Sequence, residues 1–366
     1  MFSYFWNCFS QCVWYGCASR IPFDIHPLFL YRINEKNDIL RYRQTNDTPT
    51  HIEADMFMPG NMLYTDIFAL YTTNGPTTTV IVGQTHRFPA LDYAEGIGPN
   101  ATFSKITSFA QINASHVLLA DSQRGCIRIL DRYTNQTQRF VGLCEKTLLD
   151  TPQINGNLSH SRFGKISGFI YHREQNFIYI LEQGLTKRIT KANIRANQVT
   201  TIAAKADFER DYHDPRDGVV DVNRGVVYVS VTYGIAKIDV VDDSFTYLTH
   251  QDHSGYEDGP LVLSEFYWSM GMAMFGNDTL IVADANNNKL RIVDLASANV
   301  TTWCFNNKMD ADRLCYVRRP VPVHIFDCAV YFGLSRLIAK LHLPKMLCPE
   351  KHFGLKRKSS DSDDCE

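Results

Sequence analysis

One strand–turn–strand pattern recurs along this chain and constrains its fold more than any other feature. Val117 to Ile129 reads VLLADSQRGCIRI, Phe177 to Ile189 reads FIYILEQGLTKRI, Val226 to Ile238 reads VVYVSVTYGIAKI and Leu280 to Ile292 reads LIVADANNNKLRI. An earlier copy, Met62 to Leu70, has a shorter turn and no basic residue, and a later one, Ala329 to Leu341, aligns best with the copy at Val226. The residues that end the first strand of each copy are Asp66, Asp121, Glu182, Ser230, Asp284 and Gly333, spaced 55, 61, 48, 54 and 49 apart. Four short strands with their turns take roughly 40 to 50 residues, so each interval holds one propeller blade and a long connection. Apolar and polar residues alternate in every copy, which gives each blade two faces to bury and makes stacking on neighbours obligatory.

The expected fold is therefore an all-β propeller of six blades, each of four antiparallel strands. An open ring would leave unpaired edges, and the stretch after the last copy, His342 to Pro349, makes a poor strand because of its prolines. The closing strand is expected from the amino-terminal side, at Leu28 to Tyr31 or Ile39 to Arg43. Counting Leu28 to Ile52 as a reduced blade gives seven blades as the alternative.

A second element repeats upstream of three anchors: Ala101 to Phe109 (ATFSKITSF), Ser161 to Phe169 (SRFGKISGF) and Ser264 to Met272 (SEFYWSMGM). Acidic-glycine turns precede it at Glu95-Gly96 and Glu257-Asp258-Gly259. Joined to Ile281 to Ile292 (IVADANNNKLRI), these residues resemble the NHL repeat, in which a glycine-rich turn leads to an A-x-F motif, an inner strand and a V-A-D-x-x-N-N-K/R-I hairpin. The resemblance spans Met62 to Leu341, and the copy at Ser230 departs from it by lacking both the acid and the Asn pair. It implies a six-bladed propeller whose relatives include metal-using lyases, intracellular RNA-binding modules and extracellular interaction domains, so the fold alone does not choose a function. Phe103, Phe163 and Phe266 are expected to fill the layers between blades, where their large apolar surface is worth most.

Composition narrows the partners. A net charge of −2 and a pI near 6.6 leave no broad basic field for a phosphate backbone, so nucleic acid is not an expected partner. Seven N-x-S/T sites, at Asn46, Asn100, Asn113, Asn135, Asn157, Asn277 and Asn299, favour a secreted glycoprotein or the outer face of a membrane. The alternative is an intracellular protein, for which the basic run Lys356-Arg-Lys would serve as an address. Of ten cysteines, Cys126 with Cys144 and Cys304 with Cys315 lie close enough in sequence to pair within a blade, and none shows C-x-x-C spacing. Residues 1–25 form an apolar segment that reads as a signal sequence or as an interfacial or buried stretch, residues 26–341 as a monomeric propeller, and residues 342–366 as a disordered tail. Membrane association is left open.

Strand alternation places the second-to-third-strand turns and the links between blades at one end, the upper face, where loops on a rigid scaffold carry function. Asn113, Asn135, Asn277 and Asn299 fall in the turns of the opposite end, with Asn100 and Asn157 toward the ends of upper loops. The ligand-binding candidates are His213, Asp214, His250, Asp252, His253 and Asp258, from the segments Asp211 to Asp217 and His250 to Gly259. Asp66, Asp121, Glu182 and Asp284 form an acidic ring that would hold Ca or Zn in a metal-assisted hydrolase or lyase. In the NHL pattern, the same acid is a turn residue bonded to backbone. No G-x-S-x-G elbow, phosphate loop or dinucleotide fingerprint occurs, and H-E-x-x-H and EF-hand spacings are also missing. The expected function is a protein- or ligand-binding platform rather than an enzyme, without a required cofactor.

Overall fold

A computed structural model describes residues 39–44, 49–84, 94–145, 153–184, 187–204, 207–208, 213–249, 254–303, 320–326, 329–334 and 337–342. Its strands assemble into six antiparallel sheets arranged as the blades of a propeller. Blade 1 holds β2 (His51–Ala54), β3 (Met62–Thr65), β4 (Ala69–Thr73) and β5 (Thr78–Gly83), and β1 (Ile39–Gln44) is reserved for the last blade. Blade 2 adds a short outer strand, β6 (Gly96–Ile97), to β7 (Ile106–Gln111), β8 (His116–Asp121), β9 (Cys126–Asp131) and β10 (Gln136–Val141). Blade 3 comprises β11 (Lys165–His172), β12 (Phe177–Gln183), β13 (Arg188–Asn193) and β14 (Gln198–Ala203). Blade 4 comprises β15 (Pro215–Asp221), β16 (Val226–Val231), β17 (Gly234–Asp239) and β18 (Phe245–Tyr247). Blade 5 again has a fifth strand, β19 (Gly259–Pro260), beside β20 (Ser269–Phe275), β21 (Thr279–Asp284), β22 (Lys289–Asp294) and β23 (Asn299–Trp303).

Blade 6 closes the ring as the sequence requires. Its β24 (Pro320–Phe326), β25 (Ala329–Leu334) and β26 (Leu337–His342) lack an outer strand of their own, and β1 pairs on β26 from Ile39↔Leu341 to Gln44↔Leu337. The count is six, and Leu28 to Tyr31 lies outside the described residues.

Period-two alternation sets the packing. Within β8, Leu118 and Ala120 face blade 3 while Val117 and Leu119 face blade 1. The result is six apolar clusters, one per pair of adjacent blades; the cluster of Ile52, Met62, Tyr64, Tyr71, Tyr331 and Ile338 joins blade 6 to blade 1. Phe103, Phe163 and Phe266 sit in three of these layers, fully or nearly fully buried. Truncating such a ring to Ala typically costs about 3 to 5 kcal/mol.

The recurring acid and base form a lock inside each well-conserved blade. Asp121 pairs with Arg128 at 3.7 Å, Glu182 with Arg188 at 2.5 Å and Asp284 with Arg291 at 2.8 Å. Each carboxylate also accepts the backbone N–H of the residue after the layer Phe: Ser104 at 3.0 Å, Gly164 at 2.6 Å and Tyr267 at 2.8 Å. The guanidinium lies over that same Phe, 4.2, 5.8 and 4.6 Å from the ring centre, and donates to the carbonyl of the residue before it. Three separated sequence signals, the acid, the basic residue and the A-x-F element, are thus parts of one buried structure. A buried charge is tolerated only when paired and hydrogen-bonded, which this arrangement supplies.

Two blades vary the lock. Asp66 instead caps its own turn, accepting from Phe68 and Ala69 N–H and from the Tyr71 hydroxyl at 2.6 Å. Ser230 exchanges short-range bonds with the Asp217 backbone, at 3.1 and 3.2 Å.

Candidate functional site

The inner strands β2, β7, β11, β15, β20 and β24 surround an axial cavity of about 350 Å³, walled by residues from all six. Five of these strands carry a β-bulge in their upper part, between Ile106 and Phe109, Ile166 and Gly168, Pro215 and Asp217, Ser269 and Met272, and Val321 and Val323. Bulges bend a strand and re-aim its side chains, and here they separate a tight upper collar from the roomier cavity. In the collar a Cβ on Gly168 would lie 2.5 Å from the Arg216 carbonyl oxygen, so only glycine lets β11 and β15 approach this closely.

Polar groups enter the cavity at fixed positions. His51 Nε2 stands 3.5 Å from Glu53 Oε1, and its ring meets Phe109 edge-on at 4.9 Å. Gln111 Nε2 donates to Glu53 Oε2 at 2.9 Å and to the Ala54 carbonyl at 2.6 Å, while its Oε1 accepts Met56 N–H at 2.8 Å. His324 Nε2 accepts the Ala54 N–H at 3.2 Å, which assigns the proton of the neutral ring to Nδ1. At the lower rim Arg173 donates to the Gln111 carbonyl at 2.8 Å beside the Met56 sulfur. Asp217 accepts the Met272 N–H at 3.4 Å.

Burial and neighbours tune these groups in opposite directions. Burial alone would lower His51, but its bond to Glu53 and the charge of Asp217 raise it above the usual imidazole value. Burial works to raise Glu53, and the His51 and Gln111 contacts hold it below its usual value. Desolvation raises Asp217, with His51 and the backbone N–H groups of Gly218 and Met272 opposing. Burial pushes His324 down to about 4. The cavity therefore presents a His51–Glu53 pair, a neutral imidazole at His324 and one further carboxyl group at Asp217, between apolar walls of Phe109, Phe169 and Met272.

The sequence-derived candidates lie elsewhere. Asp66, Asp121, Glu182 and Asp284 are each consumed in their own blades. His213 is buried against the Tyr233 and Tyr247 rings, with centroids 5.2 and 6.2 Å away. Asp214 accepts the Gly184 N–H at 3.0 Å and pairs with Arg216 at 3.1 Å. Asp258 pairs with Arg291 at 2.8 Å and accepts the Thr302 N–H at 2.9 Å, on the outer side of blade 5 and away from Asp214. His250, Asp252 and His253 lie outside the described residues. Among the described residues no group of three or more His, Cys, Asp or Glu is placed to hold a metal ion. Cys126 and Cys144 are joined by a disulfide, while Cys304 and Cys315 fall outside the described residues. Sequence reasoning missed His51, Glu53, Gln111 and His324 and reached Asp217 only as the end of a loop.

The sequon asparagines share one end. Asn113 and Asn277 lie in first-to-second-strand turns, Asn135 ends a third-to-fourth-strand turn, and Asn299 opens β23 just after one. Asn100 and Asn157, expected at the upper face, are at the lower one instead. Their links dip down the blade edge, so that Gly98 N–H bonds the Asn135 carbonyl at 2.9 Å and Leu158 N–H bonds Asn197 Oδ1 at 3.1 Å, both in lower turns. Asn46 lies outside the described residues.

No protein-family model matches the sequence, and no curated protein matches it. Among solved structures, the fold is similar to that of an auxiliary nutrient binding protein from Bacteroides thetaiotaomicron VPI-5482, with TM-score 0.60, 11% identity, and coverage of 81% of this chain and 69% of that one. An auxiliary nutrient binding protein from Bacteroides ovatus ATCC 8483 is similar at TM-score 0.57 and 10% identity, with the same coverage. These likenesses show a shared propeller fold. Among the described residues no helix is long and apolar enough to cross a membrane.

Proposed function

We propose that the chain is an NHL-type propeller that works outside the cell as a binding platform, meeting its partner through the upper-face loops and carrying its glycans on the lower face. The observation that carries this reading is the gathering of all six described sequon asparagines at one end, four of them, Asn100, Asn113, Asn157 and Asn277, exposed. Glycans there leave the upper turns and links clear. At Asn113 and Asn157 the side-chain Oδ1 accepts turn N–H bonds from His116 and His160, both at 2.9 Å, an arrangement that attachment at Nδ2 preserves. The Cys126–Cys144 disulfide suits an oxidising compartment, and two fold neighbours are described as nutrient-binding. On this reading residues 1–25 are the leader, and the propeller runs from residue 26 to His342, the last residue of β26.

The test is expression of the full chain in a secretory eukaryotic host, with peptide mapping before and after enzymatic deglycosylation. The expected result is secreted protein with occupied lower-face sites. A bulky side chain placed in the exposed upper turn between β8 and β9 by Gln123→Trp should weaken partner capture that lower-face glycans permit. Protein retained in the cytosol with every site bare would end the reading.

A further inference from the structure

The cavity holds a carboxyl group that no side chain answers among the described residues. Glu53 is answered by His51 and Gln111. His324 is held by the Ala54 N–H. Arg173 is tied to Gln111 and Met56 at the lower rim, where strand rise sets its guanidinium roughly 13 Å along the axis from the level of Asp217. Among the described residues the Asp217 carboxyl group meets backbone N–H groups alone, those of Gly218 and, at 3.4 Å, Met272. Among the described residues no cation lies within ion-pair distance of it.

The position does not need a carboxylate to hold the blades. In blades 2 and 3 the residues just before Ser108 and Gly168 are Thr107 and Ser167, as Asp217 is just before Gly218. Thr107 donates to the Ile166 carbonyl at 3.3 Å, and Ser167 donates to the Pro215 carbonyl, each clasping the next inner strand. A hydroxyl thus performs this link twice. Where the third copy carries an acid, the carboxyl group faces a cavity that offers it no side-chain donor among the described residues, and desolvation there disfavours its charged form.

We propose that the axial cavity binds a small organic cation, a protonated amine on a compact apolar body, with its ammonium on Asp217 and its body between Phe109, Phe169 and Met272. The His324 Nδ1–H, opposite the Nε2 that accepts the Ala54 N–H, supplies a hydrogen bond at the other end. A volume of about 350 Å³ admits a ring with a short arm, at the small end of ligand cavities. The ammonium supplies the donor and the charge that Asp217 lacks. An anion of the same size would meet Glu53 and Asp217 together. This inference is independent of the upper-face reading and of where the glycans lie.

Benzylamine, benzyl alcohol and benzoate are matched in size and differ in charge, and calorimetric titration of each into the full-length protein at neutral pH tests the proposal. Benzylamine is expected to bind at least tenfold more tightly than the other two. Asp217→Asn and Asp217→Ser, the second copying the hydroxyl of blades 2 and 3, should each abolish that preference while the protein stays folded. Equal or tighter binding of benzoate, no binding of benzylamine at millimolar concentration, or an amine preference that survives both substitutions would overturn the proposal. Because no glycan or upper-face loop enters this assay, its outcome is separate from that of the secretion experiment.

Discussion

The buried carboxylates of the blades and the carboxylate of the axial channel are chemically alike and treated differently. Asp121, Glu182 and Asp284 each receive a guanidinium, a backbone N–H and an aromatic ring under the cation. Among the described residues Asp217 receives backbone N–H groups alone and the nearby charge of His51. The repeat marks acids that the fold consumes; the acid left for a ligand stands where blades 2 and 3 carry a hydroxyl, Thr107 and Ser167. Periodicity is thus a guide to architecture, and departure from it a guide to the site.

This contrast is most easily broken at the locks. Arg291→Met leaves Asp284 and Asp258 facing each other without their shared cation, and should cost about 3 to 5 kcal/mol in chemical denaturation. An unchanged midpoint would show that the lock is dispensable. Replacing Cys126 and Cys144 with Ser opens a loop of sequence separation 18 and should cost about 3 kcal/mol by loop entropy. Reduction of the wild type should give the same shift.

The channel histidines sharpen the comparison through pH. His324 is held neutral in the folded protein, at about 4 against 6.5 in the unfolded chain, so the unfolded state takes up a proton first. Its contribution is therefore lost as pH falls from 6.5 to about 4, and His324→Gln should flatten stability across that window. His51 is shifted the other way: its contribution is full below 6.5 and is lost as pH rises through its raised folded value. His51→Gln should remove that high-side decline and leave the acid limb intact. Two variants with the same pH profile would contradict the assignment. The smallest effect is expected on the lower face, where Asn→Gln at the exposed positions 100 and 277 should change stability by less than about 0.5 kcal/mol while removing glycan mass.

Much of the fold was legible because its signals are local. A hairpin carries its alternation, turn and acid within thirteen residues, and the closing strand was foreseeable because prolines deny blade 6 an outer strand of its own. The downward dip of the links was not legible, since the short pairings of Gly96–Ile97 on β10 and Gly259–Pro260 on β23 have no strand pattern of their own. That dip carries Asn100 and Asn157 to the lower face. The axial site was hidden for a different reason. His51, Glu53, Gln111, Asp217 and His324 come from four inner strands spread across 274 positions, and no motif links them. They converge only because the ring closes.

The most direct measurement compares the same chemical change in the two settings, Glu182→Gln in a blade and Asp217→Asn in the channel, by equilibrium denaturation at neutral pH. Glu182→Gln should lose about 3 to 5 kcal/mol, because Arg188 is left buried without its counter-charge. Asp217→Asn should be neutral or stabilising, since it removes a desolvated charge that the protein does not pair. Equal losses from both substitutions would show that Asp217 is another structural acid and would contradict the account.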